Sequence, residues 1–180
     1  MGTYIALLRG VNVGGHKQVS MAGLRELLTS LGFENPRSLL QSGNLVFSTR
    51  KRPSRSLEDE LETETEKHLG LQTRYFIRTA EEWKAIIAAN PFPGKARSDP
   101  SHLIVMPLRE APKGADVKAL QNAITGEERL RVVGTEAYIT YPEGIGTSKL
   151  TLARIESRLH TNGTGRNWNT ALKLASLASS

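Results

Sequence analysis

Thr3-Tyr4-Ile5-Ala6-Leu7-Leu8-Arg9-Gly10-Val11-Asn12-Val13-Gly14-Gly15-His16-Lys17-Gln18-Val19-Ser20 is the stretch from which the rest of the chain can be read. Ile5 to Leu8 is apolar without interruption, as a buried central strand requires. Ser20 stands just before an amphipathic run, where its hydroxyl can accept from the first free N–H groups of a helix. Between strand end and helix start lie three glycines, Asn12 and the basic or titratable Arg9, His16 and Lys17.

Leu24, Leu27, Leu28 and Leu31 recur at helical spacing and stop at Gly32, which predicts the first helix. Ser38 to Gln41, Ser42-Gly43 and Asn44 to Phe47 read as two strands joined by a glycine turn. A basic loop, Arg50 to Pro53, leads to a helix with Leu57, Leu61 and Leu69 on one side. Its glutamate run, Glu58 to Glu66, reads as a solvated face. Gln72 to Arg78 is the fourth strand. The order βαββαβ is the ferredoxin-like arrangement, two helices on one face of a four-stranded antiparallel sheet.

Thr79-Ala80-Glu81-Glu82 is a capping box opening a short helix with Trp83, Ile86 and Ile87. Asn90-Pro91-Phe92-Pro93-Gly94 ends that helix, and the loop through Pro100 is read as a boundary. A second cycle follows: a strand at His102 to Leu108, a helix on Val117, Leu120 and Ile124, and strands at Leu130 to Val133 and Ala137 to Tyr141. A helix on Leu152, Ile155 and Leu159 comes next, then a last one on Trp168, Ala171, Leu172 and Ala175. The expected fold class is therefore α+β with antiparallel sheets. It comprises two ferredoxin-like units, βαββαβ and then βαββα with a C-terminal helix in place of the closing strand. The expected boundaries are residues 1–89, a linker at 90–100, and residues 101–180.

Three glycine-rich loops could carry chemistry. Gly10-x-x-x-x-Gly15-His16-Lys17 resembles a triphosphate-binding loop only in part, because His16 intervenes and Gln18 stands where a hydroxyl is needed. What survives is a concave turn whose N–H groups and Lys17 could meet an anion, against the alternative of a tight structural turn. Tyr141-Pro142-Glu143-Gly144-Ile145-Gly146-Thr147-Ser148-Lys149 is read as entering a helix capped by Thr147 or Ser148, with Lys149 as a point charge. Ser148 beside Lys149 is a poor nucleophile–base pair, since helical neighbours point about 100° apart. In Thr161 to Thr170, Gly163 and Gly165 free the backbone. Arg166 offers a planar fork for carboxylate or phosphate, Asn167 or Asn169 can cap or donate, and Trp168 is read as packing. In the ferredoxin-like order the loops after strands one and three are expected to leave the same end of a sheet. Lys17, Lys149 and Arg166 would then share one positive site.

Together, Leu8 to Gly15, Leu40-Gln41-Ser42-Gly43-Asn44, Asn90-Pro91-Phe92-Pro93, Tyr141-Pro142-x-Gly-x-Gly-x-Ser148-Lys149 and Arg166-Asn167-Trp168-x-Thr170 resemble the bacterial family called domain of unknown function 1697. The likeness runs from about Tyr4 to about Ala175. It implies two ferredoxin-like units and no established activity. The family's shared polar residues fall on Arg9, Asn12, Gln41, Ser42, Asn44, Ser148, Lys149, Arg166 and Asn167, to which the loop chemistry adds Gly14, Gly15 and Lys17.

Composition narrows the function classes. The 180 residues include no cysteine, which excludes disulfides, thiol nucleophiles and thiolate zinc sites and suits a cytoplasmic setting. No run of about 18 apolar residues predicts a membrane span. No leader is expected, as Met1 to Tyr4 runs straight into a strand. His16, His68, His102 and His160 lack metal-ligand spacing, and no motif implies a metal or cofactor. Of the formal +6, residues 1–52 hold seven Lys/Arg against two Glu, and residues 144–180 hold five against one. Such basic ends suit phosphate or carboxylate partners, or serve only as solubility charge. An RNA-recognition sheet needs stacking aromatics, and only Tyr4 and Phe47 fall on the relevant strands. The leading reading is a cytoplasmic protein that binds a phosphate-bearing ligand, a nucleotide or nucleic acid, through its glycine-rich basic loops. The alternatives are an enzyme acting on a small anionic substrate through Lys149, Arg166 and His16, or an interaction domain whose polar motifs fix its own loops. Fold alone selects none of them. Oligomeric state is not legible.

Overall fold

The structure, a computed structural model, describes residues 1–10 and 19–180. Asn12, Gly14, Gly15, His16 and Lys17, and the anion-binding role read for them, lie outside the described residues. The described chain forms two compact units, Met1–Ala85 with Leu174–Ser180, and Ile86–Lys173.

In the first unit, β1 (Gly2–Leu8), α1 (Met21–Ser30), β2 (Glu34–Leu39), β3 (Asn44–Thr49), α2 (Ser54–Leu69) and β4 (Tyr75–Thr79) follow in order. The sheet order is β2-β3-β1-β4, antiparallel throughout, which is the ferredoxin-like arrangement. Ser20 caps α1 by accepting from the Gly23 N–H at 2.9 Å. Leu24 and Leu28 of α1 and Leu57 and Leu61 of α2 are buried with Tyr4, Ala6, Leu45, Phe47 and Ile77 of the sheet. Burying each such leucine stabilises by roughly 1.5–3 kcal/mol.

α2 does more than cover the sheet. β4 is an edge strand, and the N–H groups of Tyr75, Ile77 and Thr79 are accepted by the carboxylates of Glu62, Glu58 and Glu82 at 2.9, 3.0 and 2.8 Å. Glu58 is only 4% exposed, which corrects the reading of Glu58 to Glu66 as a solvated face. The Glu82 bond is one half of the expected capping box. Its other half runs from the Glu82 N–H to Thr79 Oγ1 at 3.0 Å and opens α3 (Ala80–Ala88). At the other edge, β2 shifts register between Glu34 and Arg37, with Asn35 at φ 52° and Pro36 lacking an N–H.

The turn at residues 40–43 joins β2 to β3 and carries Gly43 at φ 79°. A β-branched residue resists that conformation, so Gly43→Val is expected to cost about 1–2 kcal/mol. A thermal melt unchanged from wild type would rule out this assignment of the turn.

In the second unit, after the end of α3, comes α4 (Pro93–Ser98), inside the stretch read as a loop, with proline at its first position where no N–H is needed. Then come β5 (Leu103–Pro107), α5 (Gly114–Ala123), β6 (Arg129–Val133), β7 (Glu136–Thr140), α6 (Leu152–Leu159), β8 (Arg166–Asn167) and α7 (Trp168–Ala178). Its sheet order is β6-β7-β5-β8, again antiparallel. The expected C-terminal helix is present, preceded by a two-residue closing strand that pairs Val105 with Arg166 and Ile104 with Asn167. In α7 the buried residues include Trp168, Ala171 and Leu174, whereas Leu172 is 44% exposed, so the apolar stripe runs through 174 instead of 172.

Antiparallel pairing overturns one expectation. β1 opposes β3 and β5 opposes β7, so the loops after the first and third strands of a unit leave opposite ends of its sheet. The hydrogen bond from the Tyr141 N–H to the His102 carbonyl places the loop after β7 beside the start of β5. Among the described residues, no helix is long and apolar enough to cross a membrane.

Candidate functional site

Three regions hold the described candidate residues, one in the first unit and two in the second. At the end of the first sheet where β1 finishes, the Leu8 N–H bonds the Gly43 carbonyl at 2.8 Å and the Arg9 N–H bonds the Arg74 carbonyl at 3.1 Å. Thr73 Oγ1 donates to the Arg9 carbonyl at 2.7 Å. Arg9 and the turn of Gln41, Ser42 and Asn44 therefore sit at one sheet end, beside the connection that carries Thr73 and Arg74. Asn44 is fully buried, and its Nδ2 donates to the Leu39 carbonyl and to Ser42 Oγ, both at 2.9 Å. Those bonds hold the turn closed. Arg9 and Arg74 line a cleft of about 570 Å³ with Glu62 and Glu66.

In the second unit the chain leaving β7 is tied down before it reaches a helix. Buried Tyr141 donates its hydroxyl to the Leu150 carbonyl at 2.7 Å. Ile145–Thr147 makes a single 3-10 turn, and Ser148 is extended. Ser148 Oγ donates to Glu128 Oε1 at 2.6 Å and accepts from the Leu150 N–H at 3.0 Å. Thr147 and Ser148 are thus not the helix cap. Thr151 is, accepting from the Arg154 N–H at 3.1 Å. The Ser148 hydroxyl proton goes to Glu128 and not toward Lys149, which removes the nucleophile–base pairing. That donated bond holds the Glu128 carboxyl below the usual carboxylate range.

Beside this loop lies a cleft of about 280 Å³. Leu120, Ile124 and Leu150 line its apolar part, and Lys149, Arg154 and Glu128 are its charged lining. Lys149 was legible from the sequence. Arg154 and Glu128 were not singled out, although the spacing Thr151-x-x-Arg154 would have put a guanidinium on the first turn had Thr151 been chosen as the cap.

Arg166 and Asn167 stand elsewhere. Arg166 is 9% exposed, and its Nη1 donates to Thr164 Oγ1 at 2.8 Å and to the Gly165 carbonyl at 2.9 Å. Burial pushes its guanidinium down to about 10. Asn167 Oδ1 accepts from the Thr170 N–H at 3.0 Å and caps α7, one of the two roles open to Asn167 or Asn169 in the sequence. Arg166 does not line the Lys149 cleft, so these two residues do not share a site there. Among the described residues, no group of three or more His, Asp or Glu side chains could hold a metal ion.

The family described as Protein of unknown function (DUF1697) matches residues 1–138 of the sequence. A solved structure of a conserved bacterial protein from Streptococcus pneumoniae is similar at 24% identity, covering 98% of each chain with a TM-score of 0.78. At that identity the likeness is one of fold. No curated protein matches the sequence.

Proposed function

The chain belongs to that family, and from the second unit's cleft we propose that it binds a small phosphate-bearing ligand of mononucleotide size. The matched span stops short of Lys149 and Arg154, so the reading stands on the cleft's own chemistry. One observation carries it: two cations, Lys149 and Arg154, line a cleft whose apolar part is Leu120, Ile124 and Leu150. Such a cleft takes a ligand with a flat or apolar body and an anionic end. Its volume of about 280 Å³ lies near the lower bound of about 300 Å³ for small-molecule sites, which suits one nucleotide better than a polymer.

The roles divide by chemistry. Arg154 supplies a planar fork matched to phosphate oxygens, and its backbone is held by the Thr151 cap. Lys149 adds a point charge from a segment anchored through Ser148 to Glu128. Glu128, the one acid lining the cleft, is held by the hydrogen bond it accepts from Ser148 and is outnumbered there by the two cations.

Calorimetric titration with a nucleoside monophosphate, the matching unphosphorylated nucleoside and inorganic phosphate tests this. Losing a charge-assisted hydrogen bond costs about 1.5–3 kcal/mol, so Arg154→Ala should weaken nucleotide binding roughly ten- to hundredfold. Nucleoside affinity should be lower from the start and indifferent to that change. Equal affinity for nucleotide and nucleoside would overturn the proposal.

A second reading applies to the shared polar motifs. Asn44, Ser148, Arg166 and Asn167 all bond backbone groups of their own loops. That favours a structural role for those four residues, leaving Lys149 to act on ligand.

A further inference from the structure

The basic loop Arg50-Lys51-Arg52, between β3 and α2, lines neither the Lys149 cleft nor the Arg9 cleft. It lies at the end of the first sheet opposite Arg9, and it is built with care. Tyr4 is 2% exposed, and its hydroxyl both donates to the Arg52 carbonyl at 2.9 Å and accepts from the Arg52 N–H at 3.0 Å. A buried phenol thus directs both its donor and an acceptor site at one loop residue. Tyr4 stacks on Phe47 and Phe47 on Phe33, with centroids 5.9 and 4.9 Å apart, and the Arg52 guanidinium lies 5.9 Å over the Phe33 ring. Arg52 also pairs with Glu60. Arg52 is therefore an anchor, while Arg50 and Lys51 stand exposed on the loop it fixes.

Two clefts meet at this loop. One, of about 610 Å³, is lined by Arg50, Lys51, Arg52, Glu34 and Glu60. The other, of about 790 Å³, is lined by Lys51, Arg52, Lys84, Glu81, Thr3 and Thr79. Lys51 and Arg52 belong to both, so the clefts join across the base of the first sheet. Four cations face three acids, and one of those acids, Glu60, is already engaged by Arg52. With Arg52 and Glu60 paired, Arg50, Lys51 and Lys84 outnumber Glu34 and Glu81 by one, and they stand one in each cleft and one where both clefts meet.

We propose that this joined cleft is a docking track for the sugar–phosphate backbone of single-stranded nucleic acid, with Arg50, Lys51 and Lys84 as its phosphate contacts. A track open along its length suits an extended polyanion, and a fixed loop lowers the ordering cost of binding one. Thr3 lines the second cleft beside Lys51, its hydroxyl sharing a hydrogen bond with Ser48 Oγ at 3.3 Å. Glu34 and Glu81 oppose a phosphate at the rim, and the cations lining the two clefts outnumber them. The large aromatics here, Tyr4, Phe33 and Phe47, are buried, so binding should be electrostatic and indifferent to sequence. The inference is independent of the mononucleotide cleft.

Fluorescence anisotropy with a labelled, mixed-sequence single-stranded oligonucleotide, titrated from low to physiological salt, tests it. Removing three phosphate contacts in Arg50→Ala/Lys51→Ala/Lys84→Ala should weaken binding at low salt about tenfold or more. The slope of log affinity against log salt should flatten by about 2. Arg52 is left intact because it packs, and the variant's melting curve should match wild type. Glu34→Lys, which adds a cation at the rim, should tighten binding. An unchanged affinity and slope in the triple variant would overturn the proposal. So would displacement of the oligonucleotide by polyglutamate at equal charge concentration, which would indicate an acidic protein partner.

Discussion

Replacing Glu58 by alanine is expected to lower the melting temperature by roughly 6–12 °C. The carboxylate is 4% exposed and accepts the Ile77 N–H at 3.0 Å, in the middle of the edge strand β4. Alanine removes the acceptor and leaves a buried donor without that partner, a loss of about 1–3 kcal/mol. The truncation also removes a side chain that is itself buried, which adds to the cost. A loss near 3 kcal/mol corresponds to the stated shift at about 2–4 °C per kcal/mol. Glu58→Gln keeps an acceptor oxygen and should recover part of the loss. Differential scanning calorimetry on the pair checks both, and a Glu58→Ala variant melting like wild type would refute the role given to this carboxylate.

The second large effect is expected at Gly163. A Cβ there would meet Leu108 Cδ2, Met106 Cε and the Pro107 carbonyl oxygen, each at 2.8 Å. The oxygen is backbone of β5 and its neighbours, so it cannot swing aside. Leu108 and Gly163 form a β-bridge, and the Gly163 N–H bonds Glu156 Oε2 at 3.0 Å. Gly163→Val should break that approach at a cost of about 3 kcal/mol, the upper end of overpacking penalties. Gly146→Ala is the control, since a Cβ there has no neighbour within 4 Å. Melting curves of the two variants should therefore diverge widely. Equal stability would mean the loop is not pressed against β5.

The contrast between these residues shows what the sequence could tell. Leu24, Leu27, Leu28, Ile155 and Leu159 were legible because apolar side chains repeat with the helical period, and burial follows from that period alone. The capping box at Thr79 and Glu82 was legible because its chemistry is local. Glu58 was not, because pattern treats a glutamate among glutamates as solvent-facing. Its partner, Ile77, lies 19 residues away. Gly163 was recognised as a glycine for the wrong reason: it serves close packing against β5, a tertiary fact, and not backbone freedom. β8 escaped notice because two residues carry no periodicity. Ser148 drew attention as a helix cap, and Thr151, three residues on, holds that place. Lys149 was found among its loop's polar residues, yet the cleft it lines needs Arg154 and Leu120 from separate helices, a juxtaposition that only folding creates.

A strand arriving from a second molecule would meet donors already engaged along β4, at Tyr75, Ile77 and Thr79. Along β2 it would meet Pro36, which has no N–H to give, and a break in register that bends the ladder away. Ribbon growth by edge-to-edge templating is thereby obstructed at both margins of the first sheet. Crowded copies of the chain can collide there without seeding a fibre. At the first sheet, contact between copies is thereby confined to side-chain surfaces.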